Sequence, residues 1–164
     1  MKASQLVIML LLAANLAATI WFGLDKQTDY QENPTKQTAV HQLPDALNAT
    51  IRNKIYSDFA NAFNAKDYDA LYNMLGEAAK AQLEKDSALT EFKKLSKYFH
   101  SIEKGAFTHS EYAGNKGNTN YYILHFAVTL SEKSEFGSTG KLKITVAVQG
   151  PEYQIYGIRL TSNP

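Results

Sequence analysis

Near Gly105 the hydrophobic period of this chain changes from about four residues to two. Upstream, Leu47, Ile51, Ile55, Phe59 and Phe63 recur every four residues, which predicts a helix with one apolar stripe. Ala65-Lys66-Asp67 interrupts the stripe. Asp67 is placed to cap a second helix carrying Tyr68, Leu71, Tyr72 and Leu75, with Gly76 at its end. An alanine-rich turn over residues 77–83 leads to Ser87 and a third helix. That helix sets Leu89, Phe92, Leu95, Phe99 and Ile102 on one face and stops at Gly105. Downstream, Tyr122, Leu124, Phe126, Val128 and Leu130 alternate with other residues, as do Leu142, Ile144, Val146 and Val148, and then Tyr156, Ile158 and Leu160. Residues 106–112 form a weaker first strand. Residues 114–117, 131–140 and 150–151 suit antiparallel connections. The run over residues 120–130 is longer than most strands and predicts a bend or bulge within it. Helices first and strands second is an α+β order: three helices on one face of an antiparallel sheet of about four strands.

The other constraint lies at the amino terminus. Residues 3–24 carry no charge. As a helix rising about 1.5 Å per residue they reach about 33 Å, enough for a hydrocarbon core of about 30 Å. Secretory apolar regions are shorter, about 7–15 residues, and Asn15 and Leu16 spoil the small-residue positions before a cut at Ala17 or Ala18. The segment predicts an uncleaved signal anchor in contact with membrane lipid; the alternative is a cleaved signal peptide and a secreted domain. Trp21 and Phe22 stand where interfacial aromatics stand. The simplest topology is single-pass, with the domain outside the cytoplasm. Residues 25–46 are polar, contain Pro34 and show no periodicity, which predicts a flexible stalk. About 20 flexible residues span about 25 Å, so the domain can reach its own membrane.

The remaining 47–164 suffice for one domain. All 16 acidic residues, and every basic residue except Lys2, follow residue 24, so the portion beyond the anchor is formally neutral. It has no global field for nucleic acid. The absence of cysteine excludes disulfides, thiolate metal sites and a cysteine nucleophile.

The stretch Phe63-Asn64-Ala65-Lys66-Asp67-Tyr68-Asp69-Ala70-Leu71-Tyr72, followed by a lysine-rich helix and a strand-rich half, resembles small bacterial domains of the nuclear transport factor 2-like superfamily. The resemblance spans residues 47–161. It implies helices packed into the concave face of a strongly curved sheet, often around a conical pocket, and a bacterial inner membrane with the domain in the periplasm. The order of span, stalk and domain is also similar to an inner-membrane assembly component of type IV secretion machines, whose longer cytoplasmic tail has no counterpart before Ala3.

Two functions of different class follow. The first is a non-catalytic domain that binds a protein partner in the same membrane or a small ligand, with Tyr56, Phe59, Tyr72, Phe99 and His125 as pocket candidates. Lys93, Lys97, His100 and Lys104, at i, i+4, i+7 and i+11, form a basic helical stripe for anionic headgroups or an acidic partner. The second is a cofactor-free lyase or isomerase. The resemblance implies for it a pocket histidine, His125, as general base, and tyrosines such as Tyr72 to stabilise an oxyanion. The bland reading of His125 is a hydrogen-bonded sheet histidine, and that of the tyrosines is core aromatics with a wet tip. The four histidines have no ligand-like spacing and no phosphate-cradling glycine loop is present, so neither metal nor cofactor is expected.

Overall fold

The computed structural model describes residues 43–162; the predicted anchor and nearly all of the predicted stalk lie outside them. Among the described residues no helix is long and apolar enough to cross a membrane. A 3-10 turn, Asp45–Leu47, leads into α1 (Ala49–Ala65), α2 (Tyr68–Asn73), α3 (Glu77–Lys80) and α4 (Lys85–Phe99). Four strands follow, β1 (Ile102–Lys116), β2 (Thr119–Leu130), β3 (Thr139–Gln149) and β4 (Glu152–Ser162), forming one antiparallel sheet in sequence order. The architecture is α+β, as the change of period predicts.

The four-residue stripe makes α1 the central helix. Ile55, Phe59 and Phe63 are buried on it, and the Phe59 and Phe63 rings stack with centroids 5.6 Å apart. Asn48 caps its start, its side-chain oxygen accepting from the Ile51 amide at 3.1 Å. Its end is a Schellman turn: the Asp67 amide donates to Ala62 O and the Lys66 amide to Phe63 O. Lys66 stands at φ 56°, where glycine is the usual residue. The Asp67 carboxylate then accepts from the Ala70 amide at 2.9 Å and starts α2.

The predicted turn over residues 77–83 contains a short helix, and the next helix starts at Lys85, before Ser87. Two predicted helix ends also move, each with a remote contact. Gly76 does not close α2, which ends at Asn73. Leu75 instead bridges in parallel to Ile155, and the Gly76 amide donates to Ile155 O at 2.8 Å. A Cβ on Gly76 would stand 2.6 Å from the Gln154 Cβ, so this glycine permits close approach to β4. The third helix stops at Phe99, not Gly105. His100 turns the chain at φ 60°, and Ile102 exchanges two 2.8 Å hydrogen bonds with the Asn64 side-chain amide. Ile102 therefore begins a strand and Gly105 lies within it, beneath the Tyr56 ring, which a side chain there would displace.

The predicted irregularity occurs in β1 rather than in β2. Glu103, Thr108 and Ala113 are extra residues against β2, three bulges in a strand of 15 residues. Such bulges bend and twist an edge strand and discourage pairing with another chain. A fourth, at Tyr156, resets β4, so that Ile155 and Ile158 face the same side and Tyr156 leaves the alternation. Two-residue turns at Gly117-Asn118 and Gly150-Pro151 join the strands. Gly117 at φ 58° and Gly150 at φ 59°, each the first central residue, supply the positive φ of a type II′ turn.

The core lies between helices and sheet. Tyr122, Leu124, Phe126, Val128 and Leu130 from β2, with Leu142, Ile144, Val146 and Val148 from β3, are buried against Phe59, Phe63, Leu71, Phe92 and Phe99. Each large side chain buried this way contributes about 1.5–3 kcal/mol. Leu43 and Ala46, within the predicted stalk, are partly buried against this core.

Candidate functional site

Side chains opposite one another in a sheet share a face. The register therefore places the sequence candidates on two different faces. Phe126 faces the helices and His125 faces the other way. Tyr56 stacks on Phe126 at 5.5 Å and burial raises its phenol pKa, while Phe59 and Phe99 are core residues. These three rings therefore pack into the core between helices and sheet. Tyr72 is half-buried at the rim of the helical layer, with the Lys80 and Lys85 ammonium groups 5.7 and 5.9 Å from its ring. The structure brings Tyr56, Phe59 and Phe99 into one core but does not bring His125 to them.

The basic stripe is also divided. Lys93 and Lys97 are exposed on α4, the Lys93 ammonium lying 6.0 Å from the Tyr68 ring. His100 is the turn residue after the helix, and Lys104 belongs to β1, paired with Thr129. The helix ends before a single face can carry all four.

Two arrangements emerge that the sequence pattern does not display. One is a cleft of about 270 Å³ where β4 meets α3 and α4. Leu75, Ala79, Phe92, Leu95 and Ile158 form its apolar wall, and Gln82, Glu91 and Tyr156 bring polar atoms to it. The Gln82 side-chain amide donates to the Tyr156 hydroxyl at 2.8 Å. The bulge creates the cleft's floor by placing Tyr156 and Gly157 where unbroken alternation would put a different residue. Gly157 within a strand pattern is the sequence sign that could have pointed there.

The other arrangement surrounds His125. A row crosses all four strands on the face away from the helices: His109 pairs with His125, His125 with Lys143, and Lys143 with Arg159. The two imidazoles stack at 4.1 Å with 18° between planes. His125 is only 9% exposed. Its Nε2 lies 3.4 Å from a Glu111 carboxylate oxygen, too long for a formed hydrogen bond, and the contact is electrostatic. Burial, then His109, then Lys143 lower the His125 pKa below its ordinary 6.5, while Glu111 opposes them. Counted evenly back from the Gly117-Asn118 turn, His125 would face Ser110. The extra residue at Ala113 moves His109 there instead.

Among the described residues no three histidine, aspartate or glutamate side chains converge as metal ligands. Neither a family model nor a curated protein matches the chain, so the functional reading rests on this geometry.

Proposed function

We propose that the chain is a membrane-tethered, extracytoplasmic binding domain without catalysis, whose ligand is a small, largely apolar molecule seated in the β4 cleft. The cleft carries the reading: a concave apolar wall with a hydrogen-bonded polar pair, Gln82 and Tyr156, in its lining is the usual form of a small-molecule site. Gln82 and Tyr156 already hold one another and so present oriented donors and acceptors to a ligand's polar end. The helices-then-meander order supports the nuclear transport factor 2-like resemblance, and residues 3–24 support the tether and the inner-membrane location. A protein partner in the same membrane remains part of the proposal through the tether.

The test is saturable binding of water-soluble ring compounds carrying one hydroxyl or amine, read as a rise in unfolding temperature. At about a hundredfold excess over Kd the gain is about 2.7 kcal/mol. Leu83→Trp, at the partly exposed mouth, abolishes it. A folded protein that binds none of the compounds, or binds equally after that substitution, sinks the cleft reading. A reporter fused after Pro164 is expected to be active only outside the cytoplasm; activity inside refutes the topology.

A further inference from the structure

We infer that the open face of the sheet docks on the anionic headgroup surface of a membrane, and that His125, stacked on His109, makes this docking tighter as pH falls. The inference rests on the tether reading, which brings the domain within reach of that surface.

The face is divided into two halves. In one, Lys104, Lys141, Lys143 and Arg159 share the side of the sheet that carries His109 and His125. Glu111, opposite Ile123, reaches back to the His125 ring, Glu103 is the extra residue beside Lys104, and Glu152 stands at the far hairpin. In the other half lie Tyr121 and Ile123, both half-buried, with the Tyr156 ring edge-on to Tyr121 at 5.3 Å. Basic side chains beside amphipathic aromatics suit a surface whose phosphates lie just outside apolar chains. Each lysine or arginine brought to such a surface multiplies binding by roughly five. The α4 stripe does not present its four members together: the Lys93 ammonium lies 6.0 Å from the Tyr68 ring, His100 is the turn residue after the helix, and Lys104 belongs to the sheet.

The pH dependence follows from what faces His125. From β1 come His109 and Glu111, from β3 Lys143, and beyond it Arg159 on β4. In the free protein burial, then His109 and Lys143, disfavour the His125 imidazolium against the pull of Glu111. A phosphate-rich surface adds negative charge outside the row and favours the imidazolium, so docking takes up protons. By linkage, acidification then strengthens docking.

The full chain is assembled in nanodiscs of phosphatidylcholine alone or with phosphatidylglycerol, and its side chains are footprinted with hydroxyl radicals at about pH 7.5 and about pH 5.5. Oxidation of His109, Tyr121 and Ile123 is expected to fall roughly threefold in anionic discs, and further at the lower pH, while Tyr68 and Tyr98 stay unchanged. Lys143→Glu with Arg159→Glu removes the drop, and Lys143→Gln with Arg159→Gln halves it. Protection equal in both disc types, absent from both, or centred on Tyr98 and Phe136 beside Lys97 overturns the inference. Disc capture reads the tether separately. A chain that elutes apart from the discs refutes the tether, and is then offered to free vesicles of the two compositions. Sedimentation with anionic vesicles alone, lost on charge reversal, upholds the docking face; its absence overturns it.

Discussion

The Ser96 hydroxyl is buried on the core side of α4, 3% exposed, and has no hydrogen-bond partner among the described residues. An unpaired buried hydroxyl costs more than it returns, and serine is a weaker helix former than alanine. Ser96→Ala is therefore expected to stabilise the fold by about 0.5–1 kcal/mol in urea denaturation; a loss of stability would reveal a partner for the hydroxyl. His125 sets a pH response at the same scale. Its folded pKa lies below the unfolded 6.5, so the unfolded chain binds more protons in the window beneath that value. The stabilisation is complete above about 6.5 and is lost as pH falls through and below it. Unfolding temperature should fall on acidification from pH 7, and His125→Gln should remove that part of the decline. An unchanged profile in the variant would assign the acid sensitivity to other groups.

Local chemistry writes the starts of α1 and α2, and a remote contact writes the end of α4. Asn48 and Asp67 cap α1 and α2 by their own side chains, a signal readable within three residues of sequence. The α1 terminus is local too, but it uses lysine at a left-handed position. Lys66→Gly should raise stability by about 0.5–1 kcal/mol, since the residue is exposed and its side chain is not needed by the turn. Denaturant midpoints with an unchanged slope would establish this; a loss would mean that the lysine side chain supports the turn. The end of α4 is different. Its apolar period runs on to Ile102, and nothing near Phe99 in sequence forbids another turn of helix. Asn64, 38 residues away, captures both backbone groups of Ile102 and gives the segment to the sheet. The bulges of β1 and β4 are equally invisible to an alternation count, because a bulge is defined by the residue opposite.

At the scale of the whole fold, the dominant fact among the described residues is a sheet with one face under the helices and one face open. Phe59, fully buried at the centre of the covered face, should cost about 3–5 kcal/mol as Phe59→Ala, read as a lowered and broadened unfolding transition. A change below about 1 kcal/mol would mean that the cavity collapses and the core is less rigid than its packing indicates. The sequence alone determined the α+β class, the alternating residues of β2 and β3, the Asp67 cap and the uncharged segment at residues 3–24. All of these are signals of period, composition or short-range hydrogen bonding, carried by contiguous residues. Only the tertiary structure decided which face His125 occupies relative to the tyrosines, that His109 and not Ser110 lies against it, and that a cleft opens at Tyr156. Alternation says that neighbouring residues face opposite ways. It cannot say which residue of a distant strand comes to lie opposite, and a single extra residue in β1 changes that answer for everything beyond it.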